Sequence, residues 1–321
     1  MAYRFEAEES VREAIARCAR EQLDKAVSEL SDGIGEDPVA AVHAARKAVK
    51  KERSLLRLSR GAISPQLRRR ENRALAAAAR GLSDARDAEV MIETIDQLAD
   101  RYVGQLPEGA FHAIRTELEL SRDRHRGQLT GSALDAHAVQ ELGAVRLRVD
   151  DWKLTRGGWE AIGPGVLRSY QKGRQALDRA RREPSLEDLH VWRKRVKDLW
   201  YQERLLASIC GPAVRGHAED VGRLADLLGD DHDLGVLRQV LTFQHLDVAV
   251  DIDAVVKLID HRRSTLQREA LHVGERVYAE TPTAFSRRMR RCWKAGRAAA
   301  RASLEQRPAE LAQATREPHA A

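Results

Sequence analysis

One eight-residue pattern, met twice, limits what this chain can fold into more than any other feature. His43-Ala-Ala-Arg46-Lys47-Ala-Val-Lys50 returns 147 residues later as His190-Val-Trp-Arg193-Lys194-Arg195-Val196-Lys197. Both copies read His-x-x-Arg-Lys-x-x-Lys. On a helix, positions i, i+3, i+4 and i+7 share one face. His43, Arg46, Lys47 and Lys50 therefore form one stripe, which Arg53 and Arg57 carry on for roughly 21 Å at the helical rise per residue. Val42, Ala45, Val49 and Leu56 point the other way, as do Leu189, Trp192, Val196 and Leu199 in the second copy. Each helix thus has an apolar side to bury and a cationic side that resists burial. Like charges at this spacing repel, so a chain that keeps the arrangement twice is expected to use it, and the expected use is binding a long anion.

That charge is local. The net charge is only +6, yet residues 43–60 hold seven Lys or Arg against the single acid Glu52. Acids gather elsewhere, at Asp84, Asp87, Glu89, Glu93 and Asp96, and again from Glu219 to Asp233. Hydrophobic residues make up 43% of 321 residues and aromatics 4%, with Ala, Leu and Arg dominant. This is the composition of an all-α protein long enough for two domains, or for one built twice. Cys18, Cys210 and Cys292 form no CxxC motif, and no apolar run reaches membrane-spanning length, so a cytoplasmic protein without a membrane segment is expected.

Punctuation divides the chain into helices. An amphipathic segment covers 8–30. Asp37-Pro38 opens the first basic helix and Gly61 stops it; Ser64-Pro65 opens the next, which breaks near Gly81. Ser83 or Asp84 starts another, and a further helix runs from about 108 to 129. Residues 130–156 read as the least regular stretch and as the boundary between halves. Helices follow over about 159–182 and from the capping box Ser185-Leu-Glu-Asp188 to Gly211-Pro212. The next ends at Gly229, a new one begins near Asp231, and long helices at about 251–279 and 282–303 precede a polar tail. A second repeat supports duplication: Leu82-Ser-Asp-Ala-Arg86-Asp87-Ala-Glu-Val90 aligns with Leu228-Gly-Asp-Asp-His232-Asp233-Leu-Gly-Val236. The expected division is 1–145, 150–303 and a tail from 304 to 321.

With both marks in place, the sequence resembles the CHAD family, the conserved histidine α-helical domain, over roughly residues 5–300. That family carries a His-x-x-Arg-type helix in each half and a Leu-Gly-x-x-Arg-Asp segment about forty residues beyond it. Two departures stand out: Ser83 replaces the glycine, and His232 stands where the first half has Arg86. The resemblance implies two pseudo-symmetric four-helix bundles, with basic helices lining a central channel that binds inorganic polyphosphate, and it makes polyphosphate granules a candidate location. Some relatives carry a triphosphate-tunnel domain with a Glu-x-Glu-x-Lys signature. Glu6-Ala-Glu8-Glu9-Ser10 lacks the lysine, so a stand-alone binding module is expected.

The candidate polyphosphate-binding residues are His43, Arg46, Lys47, Lys50, Arg53 and Arg57 in the first half and His190, Arg193, Lys194 and Lys197 in the second. Arg17, Arg122, Arg126, Arg174, Arg262 and Arg263 are candidates from neighbouring helices. Arginine offers a planar fork to phosphate oxygens and lysine a mobile point charge; an imidazole can donate to the same oxygens. Asp87 and Asp233 are read as structural carboxylates that cap a helix or hold a stripe arginine. A metal is not expected, because divalent cations need a net negative ligand set and both histidines sit among cations. No glycine-rich phosphate loop or nucleophile–base pair is visible, so neither catalysis nor a cofactor is expected. Other polyanions remain open as partners. Non-specific nucleic-acid binding is the main alternative, weakened because stacking platforms are scarce: the second stripe offers only Trp192, Trp200 and Tyr201, and Trp192 lies on the apolar side. An enzyme acting on phosphate chains is the remaining one.

Overall fold

The computed structural model describes the backbone of residues 3–82, 84–106, 109–129, 133–182, 184–243 and 250–314; within these, the side chains of 81, 84–88, 125–129, 133–135 and 307–314 lie outside the described set. Among the described residues the protein is all-α, with eleven α-helices and no strand. In order they are α1 (Val11–Ser31), α2 (Pro38–Leu58), α3 (Pro65–Gly81), α4 (Asp84–Arg101), α5 (Ala110–Leu129), α6 (Ala133–Arg148), α7 (Gly158–Arg182), α8 (Leu186–Cys210), α9 (Pro212–Phe243), α10 (Ile252–Val277) and α11 (Pro282–Ala314).

The capping signals act as their chemistry requires. Asp37 accepts from the backbone N–H groups of Val39 and Ala40 with Pro38 at the first helical position, and Ser185 accepts from Asp188 N–H. Ser10 and Glu13 close a reciprocal capping box at α1. Three helix bounds differ from expectation, the first being α11, which runs past 303 to Ala314. The stretch around 133–148 is a regular helix, α6, whose apolar residues Ala138, Leu142 and Val145 are buried. Helix α9 does not stop at Gly229 but runs unbroken to Phe243. A Cβ at Gly229 would meet the Arg193 guanidinium of α8 at an ordinary contact distance of 3.7 Å, so the glycine neither ends the helix nor relieves crowding there. One glycine inside a long packed helix costs only about 1 kcal/mol relative to alanine, which tertiary contacts outweigh.

The helices pack in sequence-adjacent pairs, α1 on α2, α4 on α5, α7 on α8 and α9 on α10, with α6 returning to α1 and α3, and α11 to α7 and α8. Helices α2 and α8 also pack on each other, and this contact positions the candidate site. The buried apolar residues form two clusters. The larger joins α1, α2, α3 and α6 to α7, α8 and α11 through residues such as Phe5, Ile15, Leu55, Tyr170, Trp192 and Phe285. The smaller joins Ile95 of α4 and Ile114 of α5 to Leu237 of α9 and Ile259 of α10. Each cluster draws on both sides of residue 150. No described helix is long and apolar enough to cross a membrane.

Candidate functional site

The stripe-bearing helices bury the faces assigned to the core. Val42, Ala45, Val49 and Leu56 on α2 and Leu189, Trp192, Val196 and Leu199 on α8 are all buried. With those sides anchored, the cationic faces are turned out of the core and towards each other where α2 and α8 cross. The crossing is fixed by polar contacts. Ser54 Oγ donates to the Asp198 carbonyl at 2.9 Å, Arg57 donates to the Asp198 carboxylate at 3.0 Å, and Gln202 Nε2 reaches the Ser54 carbonyl at 3.5 Å. Arg195 adds a longer contact to Asp198 at 3.4 Å.

From the crossing the stripes act on one another. Burial, then Lys194, Arg193 and Lys50, push His190 down to about 4. Burial lowers Lys194, and Arg195 and Arg53 add to this. Lys197 is lowered by burial against the opposing pull of Asp226, with Arg193 and Lys47 contributing. Lys50, Arg53 and Lys47 belong to α2, while the groups they disturb belong to α8. Two stripes 147 residues apart in sequence therefore share one cationic environment.

Two arginines of the first stripe are held by neutral acceptors. Arg46 donates to the Leu82 carbonyl at 2.7 Å and Arg53 to Asn72 Oδ1 at 3.0 Å. Between α2 and α3 they line a cleft of about 330 Å³ with Lys50, Val49, Ala76, Ala79 and Arg80. The alanine run 76–79 supplies small side chains to this wall. Arg80 had no place in the sequence motif, yet it adds to the field on Arg53, which burial and Arg57 already disfavour as a cation.

In the second half, His190 stacks on His232 of α9, with ring centroids 4.4 Å apart and planes inclined by 27°. Burial, then Arg193 and His190, push His232 down to about 3. The Nδ1 atoms of both rings and Arg193 Nε are buried without a hydrogen-bond partner among the described residues. Beside them Asp231, buried, accepts from Arg263 at 3.1 Å and from Gln267 at 2.8 Å, while Arg262 lowers the otherwise burial-raised Asp230. Asp231 and His232 are functional candidates that the sequence reading missed. The only signal was the aligned segment itself, where His232 stood out as a departure and Asp233 drew attention in place of Asp231.

The remaining candidates divide. His43 is exposed on α2 and Asp233 is half-buried in the interior of α9, where it cannot cap a helix. Arg17 is taken up by Glu9, Glu21 and the Arg4 carbonyl, Arg174 donates to the Glu280 carbonyl, and Arg122 pairs with Asp123 and Glu89. None of these three has a stripe residue among its partners. The side chains of Asp87 and Arg126 lie outside the described residues. Among the described residues, no three or more His, Cys, Asp or Glu side chains are grouped to hold a metal ion.

The model of the CHAD domain matches residues 14–242, well over half of the sequence. The chain belongs to the CHAD family. The matched span includes both stripes and the stacked histidines and ends inside α9. No curated protein matches the sequence significantly. Among solved structures, PptA from Streptomyces chartreusis is similar, with a TM-score of 0.51 over 85% of this chain and 99% of that one at 15% identity. At that identity the likeness is one of fold.

Proposed function

We propose that this CHAD protein is a non-catalytic binding module for inorganic polyphosphate, held between the cationic faces of α2 and α8. The observation that carries the reading is the meeting of the two stripes: Lys47, Lys50 and Arg53 on one helix disturb Lys197, His190 and Lys194 on the other. Such a surface is electrostatically unfavourable when empty and is relieved by a ligand with one negative charge per repeating unit. Membership of the CHAD family supports the same ligand. We further read the two halves as duplicated units, 1–145 and 150–303, whose stripes face one channel.

The nucleic-acid alternative loses support at the aromatic residues. Trp192 and Tyr201 are buried, and Trp200 lies under Lys197 and Arg204, each 4.9 Å from its ring centre. These rings are occupied in packing and do not offer the free faces on which bases stack. Direct titration with long-chain polyphosphate and with single-stranded DNA of matched charge, at two salt concentrations, tests the reading. Polyphosphate is expected to bind more tightly near physiological salt; equal or tighter binding of the DNA would refute it.

A further inference from the structure

A second group of arginines gathers where the end of α2 meets α3 and α7. Helix α7 reaches this point through close backbone contact. A Cβ on Gly165 would lie 2.1 Å from the Leu58 carbonyl, and one on Gly61 would lie 2.1 Å from the Glu160 carbonyl. Thr155 adds a backbone hydrogen bond to the Ala62 carbonyl at 3.0 Å. Arg168, one turn beyond Gly165, is thereby brought beside Arg60 in the 3-10 turn that follows α2 and Arg68 in the first turns of α3. Burial, followed by Arg68 and Arg168, lowers Arg60 to about 10; burial, followed by Arg69, Arg168 and Arg57, lowers Arg68.

Among the described residues no carboxylate is paired with them. Asp198 is engaged by Arg57 and Arg195, and Glu71 by Arg70 and Arg148. Among the described residues, Arg60, Arg68 and Arg168 form no hydrogen bond or ion pair, and Arg68 Nε is buried without a partner. A buried donor left unpaired costs free energy, more so on a charged group. Mutual repulsion adds to it, and one oxyanion accepting from several guanidinium forks would remove both penalties.

We infer that Arg60, Arg68 and Arg168 form a second phosphoryl-binding site, at the junction of α2, α3 and α7 and separate from the facing stripes. The inference rests on the phosphate-chain reading only for the class of ligand. Its occupant is a phosphoryl group, supplied either by a polyphosphate chain continuing past Arg57 or by a free short oligophosphate.

The test compares the parent, R60Q/R68Q/R168Q and the stripe variant R46E/K50E, each titrated with tripolyphosphate and with long-chain polyphosphate. Melting temperatures are measured in phosphate-free buffer. The glutamine variant is expected to lose about tenfold or more in affinity for at least one probe, the loss of charge-assisted hydrogen bonds, and to melt at or above the parent's temperature without ligand. Loss of tripolyphosphate binding that the stripe variant retains would assign the site to free oligophosphate. Loss confined to long chains would assign it to a continuing chain. Unchanged affinity for both probes would overturn the inference, as would a lower melting temperature with affinity retained. If the triple variant does not fold, R68Q carries the same comparison. Normal long-chain binding by the stripe variant would refute the stripe reading while leaving this site standing.

Discussion

Replacing His190 and His232 together by glutamine tests how the second stripe responds to a polyanion. Both imidazoles are held neutral in the empty protein, at about 4 and about 3 against an ordinary 6.5, by burial and by Lys50 of α2, Arg193 and Lys194 of α8, and Arg263 of α10. A bound polyanion supplies opposite charge and raises both. If binding restores one imidazole to its ordinary value, affinity at pH 5.5 should exceed that at pH 7.5 by about tenfold, because the bound form is largely protonated there and the free form is not. The second imidazole contributes less, since the rings stack at 4.4 Å and repel when both are charged. The parent should therefore gain between about tenfold and about a hundredfold. The sign follows from proton uptake: affinity rises as pH falls through the bound-state value and levels off below the free-state values. Stability without ligand runs the opposite way. The folded-state values lie below the unfolded one, so stability is full above about pH 6.5 and declines below it. Long chains are the right probe, because only terminal phosphates titrate in this window. Isothermal titration at several pH values, with buffers of different ionisation enthalpy, would count the protons taken up. A parent affinity that does not change between pH 7.5 and 5.5 would refute the reasoning, as would an equal slope in H190Q/H232Q.

Three further outcomes are expected. R46E/K50E should weaken binding of long chains far more than of very short ones, because a chain spanning both stripes gains effective concentration from its second contact; equal losses in a chain-length series would mean the stripes act separately. Glu52 is fully buried with neither carboxylate oxygen hydrogen-bonded among the described residues, and burial raises it to about 8. Its stabilising neutral form is lost as pH rises towards 8, so E52Q should raise the melting temperature at pH 8 and leave it unchanged near pH 4, read by thermal denaturation. D198A removes the carboxylate that pairs with Arg57 and Arg195 at the crossing and should destabilise the fold by about 3 kcal/mol, measured by urea denaturation.

How much of this was legible in the sequence depended on whether the controlling contact was local. The apolar faces through Trp192 and Leu56 follow from helical periodicity and are buried as read. The caps follow from residue type, and both Asp37 and Ser185 accept backbone N–H groups, although at Ser185 the reciprocal half of the capping box is replaced by a Ser185 Oγ bond to the Asp188 carboxylate. Gly229 misled because a glycine near polar residues resembles a stop signal; the packing of α9 against α8 and α10 carries the helix through it. Arg68 stands in the run Arg68-Arg69-Arg70, where nothing in the residue pattern signals that its Nε is buried. Asp198, adjacent to Lys197, gave no sign of its partner Arg57, which is 141 residues away in sequence. Helix α6 was obscured by its weak amphipathic pattern, with Ala and Gly among its apolar positions.

The placement of acceptors around the stripes explains how the fold keeps charge available while holding it still. At the crossing, where chain entropy must be overcome to bring α2 onto α8, a carboxylate is used: Asp198 takes Arg57 and cancels its charge. At the flank of the second stripe Asp231 does the same for Arg263, and Asp226 for Lys197 at 3.5 Å. Within the cleft between α2 and α3 the acceptors are different in kind. A backbone carbonyl orients Arg46 and an amide oxygen orients Arg53, and neither neutralises the guanidinium it holds. Each arginine keeps its full charge and further N–H donors from its fork. A cation fixed in this way loses less side-chain entropy when a phosphate arrives, which is the arrangement expected of a surface made for binding and not of one that only tolerates its own charge.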